Sequence, residues 1–442
     1  MPIQNFPAAL QPIIQQNFLE REFQEGIQSM LSYRSIARRE AFPNKIGETV
    51  TKTRPGLKAP VTTPITAASN TNLDNGLTPS TWTVEQYTLS IAMYGDTIDL
   101  NMVTNRVGIV EQFLQNAKAN GIQSIQSLDR LARAALFNAY MGGNTRVRVT
   151  LGAPALTISV DDVRGFQQVF VNGVMVAVSA TNTMQVTVGS NVYTLTGVAV
   201  DGGNVSTAPG GISGTLTFSG NVTVADGTLN NTVTAYNSGA GTAPFILRPN
   251  GRGNTSAIVG TDLLTMGSIL DGVAYLRANG VPAKDGLYKL YVDPVSGRQL
   301  FADPDFKLLY QGATGENPVF RAGRVTEIGD TRIIPTTEAY IQTLGAVKIR
   351  RPILVGDEAL VEGDFEGMAA EDIAGNNAII DMVDDIVHVT REPLDRLQQI
   401  IAQSWYWIGG FTAPTDQTVN TNIVPTASAS YYKRAVVFEH AG

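Results

Sequence analysis

Residues 105–141 read NRVGIVEQFLQNAKANGIQSIQSLDRLARAALFNAYM and form the strongest helical pattern in the chain. Apolar or small residues recur at helical spacing, and polar residues fill most of the other positions. The recurring set is Leu114, Ala117, Gly121, Ile125, Leu128, Ala132, Ala135, Leu136 and Ala139. Gly142-Gly143-Asn144 ends the run. At a rise of ~1.5 Å per residue the segment predicts a helix of about 50 Å, which is longer than a typical globular helix and suited to a strut.

The chain before this helix is predicted to be an arm followed by a long hairpin. Residues 1–43 have unevenly spaced apolar residues, which indicate short helical pieces rather than a packed core. Within residues 44–95, segments 47–52 and 81–91 alternate like two strands. The connection 55–79 is rich in Pro, Thr, Asn and Gly and has little apolar surface.

Two interpretations of this hairpin stay open. It is either a loosely held surface loop or an arm that packs on another subunit, because a lone hairpin is only marginally stable in water. The second interpretation extends to roughly the first hundred residues. They have too little apolar surface for a core of their own, so we expect identical neighbouring copies to complete them.

Residues 145–252 change in character. Between positions 166 and 247 the only charged residues are Asp201 and Asp226, while Val, Thr, Ser, Gly and Asn dominate. Short strand patterns follow one another, separated by turn signals such as Asn172-Gly173. The predicted strands are 168–171, 174–178, 184–188, 193–200, 214–218, 221–224 and 231–236. This pattern predicts an antiparallel sandwich or small barrel inserted between helical segments.

The rest of the chain is predicted to mix helices and strands. In residues 253–370, Thr261-Asp262 can cap a helix that runs to about Asn279. Segments 325–330 and 332–335 form a hairpin pattern with a Gly-Asp turn. In residues 371–442 we expect strands at 383–389 and 435–438 and a helix at 394–403. The whole pattern is of the α+β class.

Composition excludes several functional classes. The net charge of −7 argues against a nucleic-acid binder, which normally has a basic stripe. Without cysteine there are no disulfides, thiolate metal sites or cysteine nucleophiles. With only His388 and His440, a His-rich metal site is nearly excluded, and a Ser–His–Asp triad would need one of these two. No apolar stretch is long enough to span a membrane and no secretory signal is evident, so we expect use in a cytoplasm.

Three clusters are candidates for chemistry, and each has an ordinary alternative. Positions 357–372 contain seven acidic residues and no basic one, which could bind a hard cation but more simply form a solvated or subunit-facing strip. Asp384, Asp385 and His388 could serve acid–base catalysis if one sheet face brought them together. Trp405-Tyr406-Trp407 could stack on a sugar or base, although packing is the simpler role. We expect no catalytic residue, metal or cofactor.

The order of the segments resembles the major capsid proteins of tailed bacteriophages with the Hong Kong 97-like (Johnson) fold, and more narrowly the family typified by phage N-four. Gly47-Glu48-Thr49-Val50 resembles the first strand of that family's extended loop. Leu77-Thr78-Pro79, Trp82-Thr83-Val84 and Tyr94-Gly95-Asp96 resemble the return strand and the entry to the spine helix. The segments 287–292 and 300–306 resemble its strand–turn–helix, and 323–336 its glycine hairpin.

The resemblance implies a fold and a division of the chain. Residues 1–43 are the N-terminal arm, 44–95 the extended loop (E-loop), and 96–144 the spine helix and peripheral domain. Residues 145–252 are an inserted all-β domain, 253–370 an axial-like domain, and 371–442 strands and a helix that return to the peripheral and axial domains. The insertion is absent from the minimal family fold.

The resemblance also implies a function and partners. The protein would be a non-enzymatic subunit of an icosahedral head, forming hexamers and pentamers around double-stranded DNA without sequence-specific binding. A separate scaffolding protein, a portal and a decoration protein would be its partners, with assembly in the host cytoplasm and residence in the virion. The alternative functions are a β-rich adhesin-like protein that binds a receptor or glycan, and a glycan hydrolase that uses Asp384 or the acidic strip.

Subunit-interface residues are expected in two regions. The hairpin contributes Glu48, Lys52, Arg54, Lys58 and Trp82. Downstream, basic residues just before the acidic strip could pair with that strip on a neighbouring copy. This second set is Lys348, Arg350, Arg351, Glu362, Asp364 and Glu366.

Overall fold

The structure is a computed structural model, and the chain divides into two compact units. Unit 1 comprises Met1–Val50, Leu89–Phe137 and Leu360–Ala413, and unit 2 comprises Thr51–Thr88, Asn138–Ala359 and Pro414–Gly442. The residues that the structure describes are 21–23, 33–42, 47–55, 58, 60, 62, 84–101, 109–171, 174–236, 246–307, 327–365, 378–391, 393, 396–397, 399–414 and 434–442.

Helices and strands are mixed along the chain, as an α+β fold requires. The main helices of the described residues are α1 (Ile109–Met141), α2 (Met266–Ala278) and α3 (Pro294–Ala302). The strands are β1 (Arg38–Phe42), β2 (Thr49–Pro55), β3 (Val84–Ser90), β4 (Ala92–Asn101), β5 (Asn144–Arg146), β6 (Ala155–Val160), β7 (Gln168–Val171), β8 (Val174–Ala177), β9 (Met184–Val188), β10 (Asn191–Val200), β11 (Gly214–Val222), β12 (Thr232–Tyr236), β13 (Ile246–Leu247), β14 (Tyr288–Val292), β15 (Glu327–Ile328), β16 (Thr331–Pro335), β17 (Ile341–Leu344), β18 (Val347–Arg350), β19 (Ile353–Val355), β20 (Val361–Phe365), β21 (Ala378–Val383), β22 (Ile386–Arg391), β23 (Ile400–Thr412), β24 (Ala435–Phe438) and β25 (His440–Ala441).

Unit 1 is built on a six-stranded sheet with strands from distant parts of the chain. The order is β1-β20-β23-β22-β21, and β4 also pairs with the long strand β23. β1 runs parallel to β20, whereas the other pairs are antiparallel. β23 alternates buried and less buried residues along most of its length, so one face of this sheet is covered.

Helix α1 confirms the predicted helix over residues 109–141, and residues 105–108 lie outside the described residues. It begins in unit 1, and its last four residues belong to unit 2. Most of the positions with helical spacing are buried, as amphipathic periodicity predicts, whereas Leu114 and Ala135 are half-buried. The fully buried positions include Ala117, Ile125, Leu128, Ala132 and Leu136. Ile125 and Leu128 pack with Ile386, Trp405 and Trp407 of the unit 1 sheet.

Unit 2 contains a small antiparallel barrel. Its six strands follow the order β5-β12-β9-β10-β11-β6. The two ends of this series meet, because Val147, just after β5, forms a bridge with Val160 at the end of β6. Arg148 N also donates to Ser159 O at 2.8 Å. The interior is apolar, with Val186, Leu195, Leu216 and Val233 fully buried.

A second sheet of unit 2 is mixed, with both parallel and antiparallel pairs. Its order is β13-β24-β19-β14-β16-β15. Helix α2 shares a buried apolar core with this sheet through Ile269, Val273 and Leu276. Thr265 caps α2, since its hydroxyl accepts a hydrogen bond from Ser268 N at 3.3 Å. A three-stranded sheet, β17-β18-β25, is a smaller element of the same unit.

Most strand predictions in residues 145–252 are confirmed, and the predicted hairpin with its Gly329-Asp330 turn is confirmed over residues 327–335. One detail differs, because segments 214–218 and 221–224 are not two strands. They largely form the single strand β11, which has an irregularity in its pairing with β6. The sequence predicts either a sandwich or a small barrel. The structure shows a barrel, since the sheet closes on itself.

Three other predictions are wrong. The helix expected at 394–403 is wrong for residues 400–403, which are the first residues of strand β23. Residues 400–403 pair with β4 on one edge of β23, residues 402–403 also pair with β22 on the other, and this pairing favours a strand. The strand expected at 383–389 is interrupted by a turn at Asp384-Asp385, and both residues have positive φ. Asp262 does not cap α2, because it is buried and accepts from Arg252 Nε at 3.0 Å.

The expectation that the first hundred residues need neighbouring copies is wrong for part of that stretch. Tyr33 and Phe42 are fully buried, and β1 and β4 are integral strands of the unit 1 sheet. The reason is the non-local pairing of these strands with β20 and β23. Most of the arm and most of the 55–79 connection lie outside the described residues.

Candidate functional site

The acid–base candidates do not converge. Asp384 and Asp385 lie in the β21–β22 turn, where both bind Arg39, at 3.0 Å and 2.6 Å. His388 is in β22, fully buried, and its ring stacks on Phe23 with centroids 4.6 Å apart. Burial lowers the pKa of His388 to about 4. A general acid or base needs access to a substrate, which His388 does not have.

His440 does contact a serine, but the geometry is not that of a catalytic triad. Its Nε2 lies 2.8 Å from Ser296 Oγ. The carboxylate of Asp293 accepts from the Ser296 hydroxyl instead of orienting the imidazole, while His440 Nδ1 faces Ala441 O at 2.9 Å. All three side chains are buried. Asp293 has a structural role as the N-cap of α3, where it accepts from Val295 N at 3.1 Å.

The described acidic residues of positions 357–372 do not form one site, and two of them form ion pairs within the chain. Glu362 is buried and forms a two-pronged ion pair with Arg34, with the shortest N–O distance 2.7 Å. Glu358 pairs with Arg434 at 2.9 Å. Glu366, Glu371 and Asp372 lie outside the described residues. Among those described, no group of three potential ligands is placed to hold a metal ion.

The Trp405-Tyr406-Trp407 segment packs in the interior, as the simpler interpretation predicted. Trp405 and Trp407 are almost completely buried between β23 and α1. Trp407 stacks on Phe411 with centroids 5.4 Å apart. Trp405 Nε1 donates to Gln123 of α1 at 3.1 Å. These contacts leave no aromatic face for a sugar or base.

The hairpin set of predicted interface residues lies on an isolated pair of strands. β2 and β3 pair with each other and with no other strand among the described residues. Glu48 and Lys58 are exposed, and Lys52 is half-buried. Trp82 and the side chain of Arg54 lie outside the described residues. Tyr87 and Leu89 of β3 are buried within the chain, so the uncovered part of this element is β2. Because a two-stranded sheet buries little apolar surface, the β2 side is the best candidate for contact with another molecule.

The downstream interface set divides differently. Lys348 is exposed, whereas Arg350 binds Asp293 of its own chain. Arg351 is fully buried and binds Glu439 at 2.9 Å. The charges of Arg350, Arg351 and Glu362 are thus matched inside the chain. Asp364 in β20 is half-buried. The interface role of the whole set stays a prediction.

Sequence reasoning missed the buried network around Glu439. Its carboxylate binds Arg351 and Arg248, the latter at 2.7 Å, and accepts from Thr255 Oγ1 at 2.9 Å. Burial alone would raise the pKa of Glu439, but the two arginines lower it to about 2. Arg248 also reaches Asn144 of β5 at 3.3 Å, so the network links the barrel to the mixed sheet. Isolated charged residues far apart in sequence offered no signal of this network.

A polar cavity of about 30 Å³ lies beside this network. Its lining includes Asn144, Arg146, Asp161, Thr207 and Gln342. The volume is on the scale of one or two water molecules, so the cavity is too small for a sugar or nucleotide. No helix in the described part of the chain combines the length and the hydropathy needed to cross a membrane.

The sequence matches no protein-family model, and it matches no curated protein. Among solved structures, the chain is similar to the capsid of the cyanophage P-SCSP1u, at 9% identity and a TM-score of 0.46 over 94% of this chain and 91% of that chain. It is similar to the capsid of Ralstonia phage GP4, at 12% identity and a TM-score of 0.46 over 93% of this chain and 88% of that chain. A third similar structure is the capsid asymmetric unit of cyanophage Pam1, at 10% identity and a TM-score of 0.44 over 94% of each chain. These structures are phage capsids, the class of protein that the sequence motifs resemble.

Proposed function

We propose that this chain is the major capsid protein of a tailed double-stranded DNA bacteriophage. It is a structural, non-enzymatic subunit that self-assembles into the hexamers and pentamers of an icosahedral head. The order of its elements supports this proposal: an N-terminal strand, an isolated hairpin, one long helix, and strands that return from the C-terminal part to a common sheet. The sequence motifs of the Hong Kong 97-like family follow the same order.

The observation that carries the proposal is the β2–β3 hairpin. Its strands pair only with each other in the described part of the chain, and Thr51 and Thr53 of β2 are exposed. Tyr87 and Leu89 of β3 are buried within the chain, but the exposed side of β2 is left for another surface to cover. An identical neighbouring copy supplies that surface, and repetition of the contact around a ring connects the subunits. Exposed Glu48 and Lys58, with Lys52, are then contact residues.

The parts of the chain take the roles that the family resemblance implies. Residues 1–43 are the arm, 44–95 the E-loop, 96–144 the spine and peripheral domain, and 253–370 with 371–442 the axial-like domain and the returning strands. The closed sheet and apolar core of the barrel support its role as a domain inserted at 145–252 and projecting outward.

The charge of the chain fits a container for DNA. A net charge of −7 limits adhesion to packaged DNA, which must enter and leave. The shell encloses DNA without reading its sequence. A separate scaffolding protein and a portal are its assembly partners, a decoration protein is a further one, and assembly takes place in the host cytoplasm before the subunit resides in the virion.

Electron microscopy of the purified and the scaffold-co-expressed protein tests the proposal. We expect closed shells from the full chain, and soluble protein without closed shells after deletion of residues 55–79. Normal heads from the deletion variant would contradict the assigned role of the hairpin. A monomer or trimer that binds a glycan would instead favour the adhesin-like alternative.

A charge-reversal pair sharpens this test. Lys52→Glu with Lys58→Glu reverses the charge on the hairpin, and we expect shell yield to fall without loss of soluble protein. Lys307→Glu is the control for Lys58→Glu alone, because Lys307, like Lys58, is exposed but lies outside the hairpin. Equal shell yields from the two variants would overturn the assignment of the hairpin as the contact surface.

A further inference from the structure

The interface between α1 and the unit 1 sheet contains a row of residues that is unusual for a protein core. Across four neighbouring strands, Asp381 is opposite His388, His388 opposite Trp405, and Trp405 opposite Asp96. Directly opposed residues in antiparallel strands share one face of the sheet. The imidazole therefore lies on the covered face, in the row that packs towards α1.

His388 is buried there without a hydrogen bond. Its exposed fraction is 0%, and within the described part of the chain neither ring nitrogen has a partner. Phe23 stacks on the ring at 4.6 Å with an interplanar angle of 29°. Phe23 shares the apolar cluster of Ile125 and Leu128 from α1. A neutral imidazole fits this apolar site, whereas an imidazolium would present two N–H donors with no acceptor.

The next row along the strands is also polar and incompletely bonded. Thr390 is opposite Gln403, and both are fully buried. Asn120 of α1 donates to Gln403 O at 3.2 Å, and the Gln403 amide donates to Phe113 O at 3.2 Å. In the described residues, however, Asn120 Oδ1, Gln403 Oε1 and Thr390 Oγ1 have no partner. Such a layer holds α1 to the sheet less firmly than a fully apolar one would.

We propose that His388 is a proton-operated latch, which holds Phe23 and the middle of α1 on the sheet while it is neutral and releases them when it takes up a proton. The released part is limited. Strand β1 keeps its own anchors, namely its pairing with β20 and the ion pair of Arg34 with Glu362. This inference rests on unit 1 alone and stands or falls independently of the proposed function.

The charged groups near His388 do not remove the cost of its protonation. Asp381 of β21 is opposite His388 but makes no hydrogen bond to the ring. From α1, Asp129 accepts from Arg34 N at 3.1 Å. On β23 the facing residue is the uncharged Trp405, with Asp96 of β4 beyond it, and that carboxylate binds Gln123.

Two further sources of charge remain. Phe23 follows Arg21 and Glu22 in the sequence, and these two residues have opposite charges that balance each other. The β21–β22 turn contributes Asp384 and Asp385, which bind Arg39. Stacking of an imidazolium on Phe23 is a favourable cation–π contact, but it is weaker than the penalty of a buried charge with two unmet donors.

The expected pH dependence follows from linkage. The pKa of His388 is lowered by burial from 6.5 to about 4, so the released state binds a proton more readily than the latched state. Stability of the latch is complete above pH 6.5 and falls as the pH drops towards 4. Within this window the opening constant rises about tenfold per pH unit, which is about 30-fold between pH 7.5 and pH 5.

Hydrogen exchange of the full-length protein, corrected for intrinsic rates, tests the latch at pH 7.5 and pH 5. We expect protection at residues 21–23 and 120–128 to fall about 30-fold in the wild type, while β1 keeps its protection. His388→Phe retains the stack on Phe23 but cannot titrate, so its protection at pH 5 should stay near the value at pH 7.5. An equal loss in His388→Phe and wild type would overturn the proposal.

Histidine NMR of the wild-type protein provides a second, spectroscopic readout. The chain has only two histidines, so ring-carbon labelling gives two resonances, and His440→Gln assigns them. We expect the His388 ring to stay neutral at pH 6. Its resonance should shift over the same pH range in which residues 21–23 and 120–128 lose protection. Titration near pH 6.5 without loss of protection would refute the latch.

Discussion

The barrel of unit 2 and the sheet of unit 1 each contain six strands, but they are assembled in opposite ways. The barrel strands come from one continuous segment, 144–236, and β9, β10 and β11 pair with their sequence neighbours. Its interior is a continuous apolar cluster. Local pairing of this kind involves little loop-closure entropy.

The unit 1 sheet is built from strands far apart in sequence. Residues 38–42 pair with 361–365, and residues 92–101 pair with β23. Its interior includes a buried ion pair, a buried histidine and a glutamine, together with the apolar residues around α1. Both units therefore combine apolar burial with buried polar pairs. Those of the barrel are close in sequence, such as Asp162 with Arg164 at 2.6 Å, whereas those of the unit 1 sheet join distant segments, such as Arg34 with Glu362. Such pairs are costly to break, because a single change leaves a buried charge or donor without a partner.

The largest effect should come from Glu362→Gln in unit 1. This change removes the two-pronged partner of the buried Arg34 guanidinium and, among the described residues, leaves only Asp384, 3.6 Å from Nη1, as a counter-charge. We expect a loss of about 3–5 kcal/mol in the free energy of unfolding of this unit. Denaturant unfolding followed by tryptophan fluorescence measures it, since Trp405 and Trp407 lie in unit 1. Glu111→Gln, at an exposed position of α1, is the matched control. Equal losses for both variants would show that the buried ion pair is unimportant.

A cavity in the barrel should have a slightly smaller and spatially separate effect. Leu216→Ala removes a fully buried side chain from the apolar cluster and should cost about 3 kcal/mol. Hydrogen exchange in β9–β11 measures the loss. Val192→Ala, at a position that is 52% exposed, should change stability by less than about 0.5 kcal/mol. Loss of protection confined to unit 1 would contradict the separation of the two cores.

Acid should weaken the barrel through Asp226. Burial alone would raise the pKa of this carboxyl, but its hydrogen bonds lower the pKa from 3.8 to about 2. The donors are Asn191, Tyr193, Ser190 and Thr223. Stabilisation by the carboxylate is therefore present above pH 3.8 and is lost as the pH falls towards 2, by about 2 kcal/mol in total.

The matched variant for this pH effect is Asp226→Asn, which cannot ionise. The difference in barrel stability between wild type and variant, measured by hydrogen exchange or chemical denaturation, should shrink between pH 4 and pH 2. A difference that stays constant over this range would mean that ionisation of Asp226 does not stabilise the barrel.

The smallest effect should come from the surface pair of Arg148 with Asp201. The side chains are 2.9 Å apart, and each is more than a quarter exposed. Asp201→Asn should lower stability by less than about 1 kcal/mol, with the effect fading at high salt. Thermal unfolding at low and high salt measures it. A loss comparable to that of Glu362→Gln would show that this exposed pair stabilises the fold as strongly as the buried pair of unit 1.

The candidate contact surface and several elements could be predicted from the sequence. Helix α1, the strands of the barrel and the β2–β3 hairpin are signalled by local periodicity and by turn residues. Helix 394–403 was mispredicted because the same residues fit a helical pattern, and only the neighbours of β23 favour a strand. The burial of Arg34 with Glu362 had no local signal, since the two residues are 328 positions apart.

Periodicity, composition and turn chemistry established the α+β class, the long helix, the β-rich segment and the absence of cysteine chemistry, because each of these is a property of neighbouring residues. The three-dimensional arrangement was needed to show that the barrel closes, that His388 is buried beneath Phe23, and that Arg351 and Glu439 are partners. Those features depend on which distant segments pack together. The free energy of such packing is spread over many weak contacts, and no short stretch of sequence contains them.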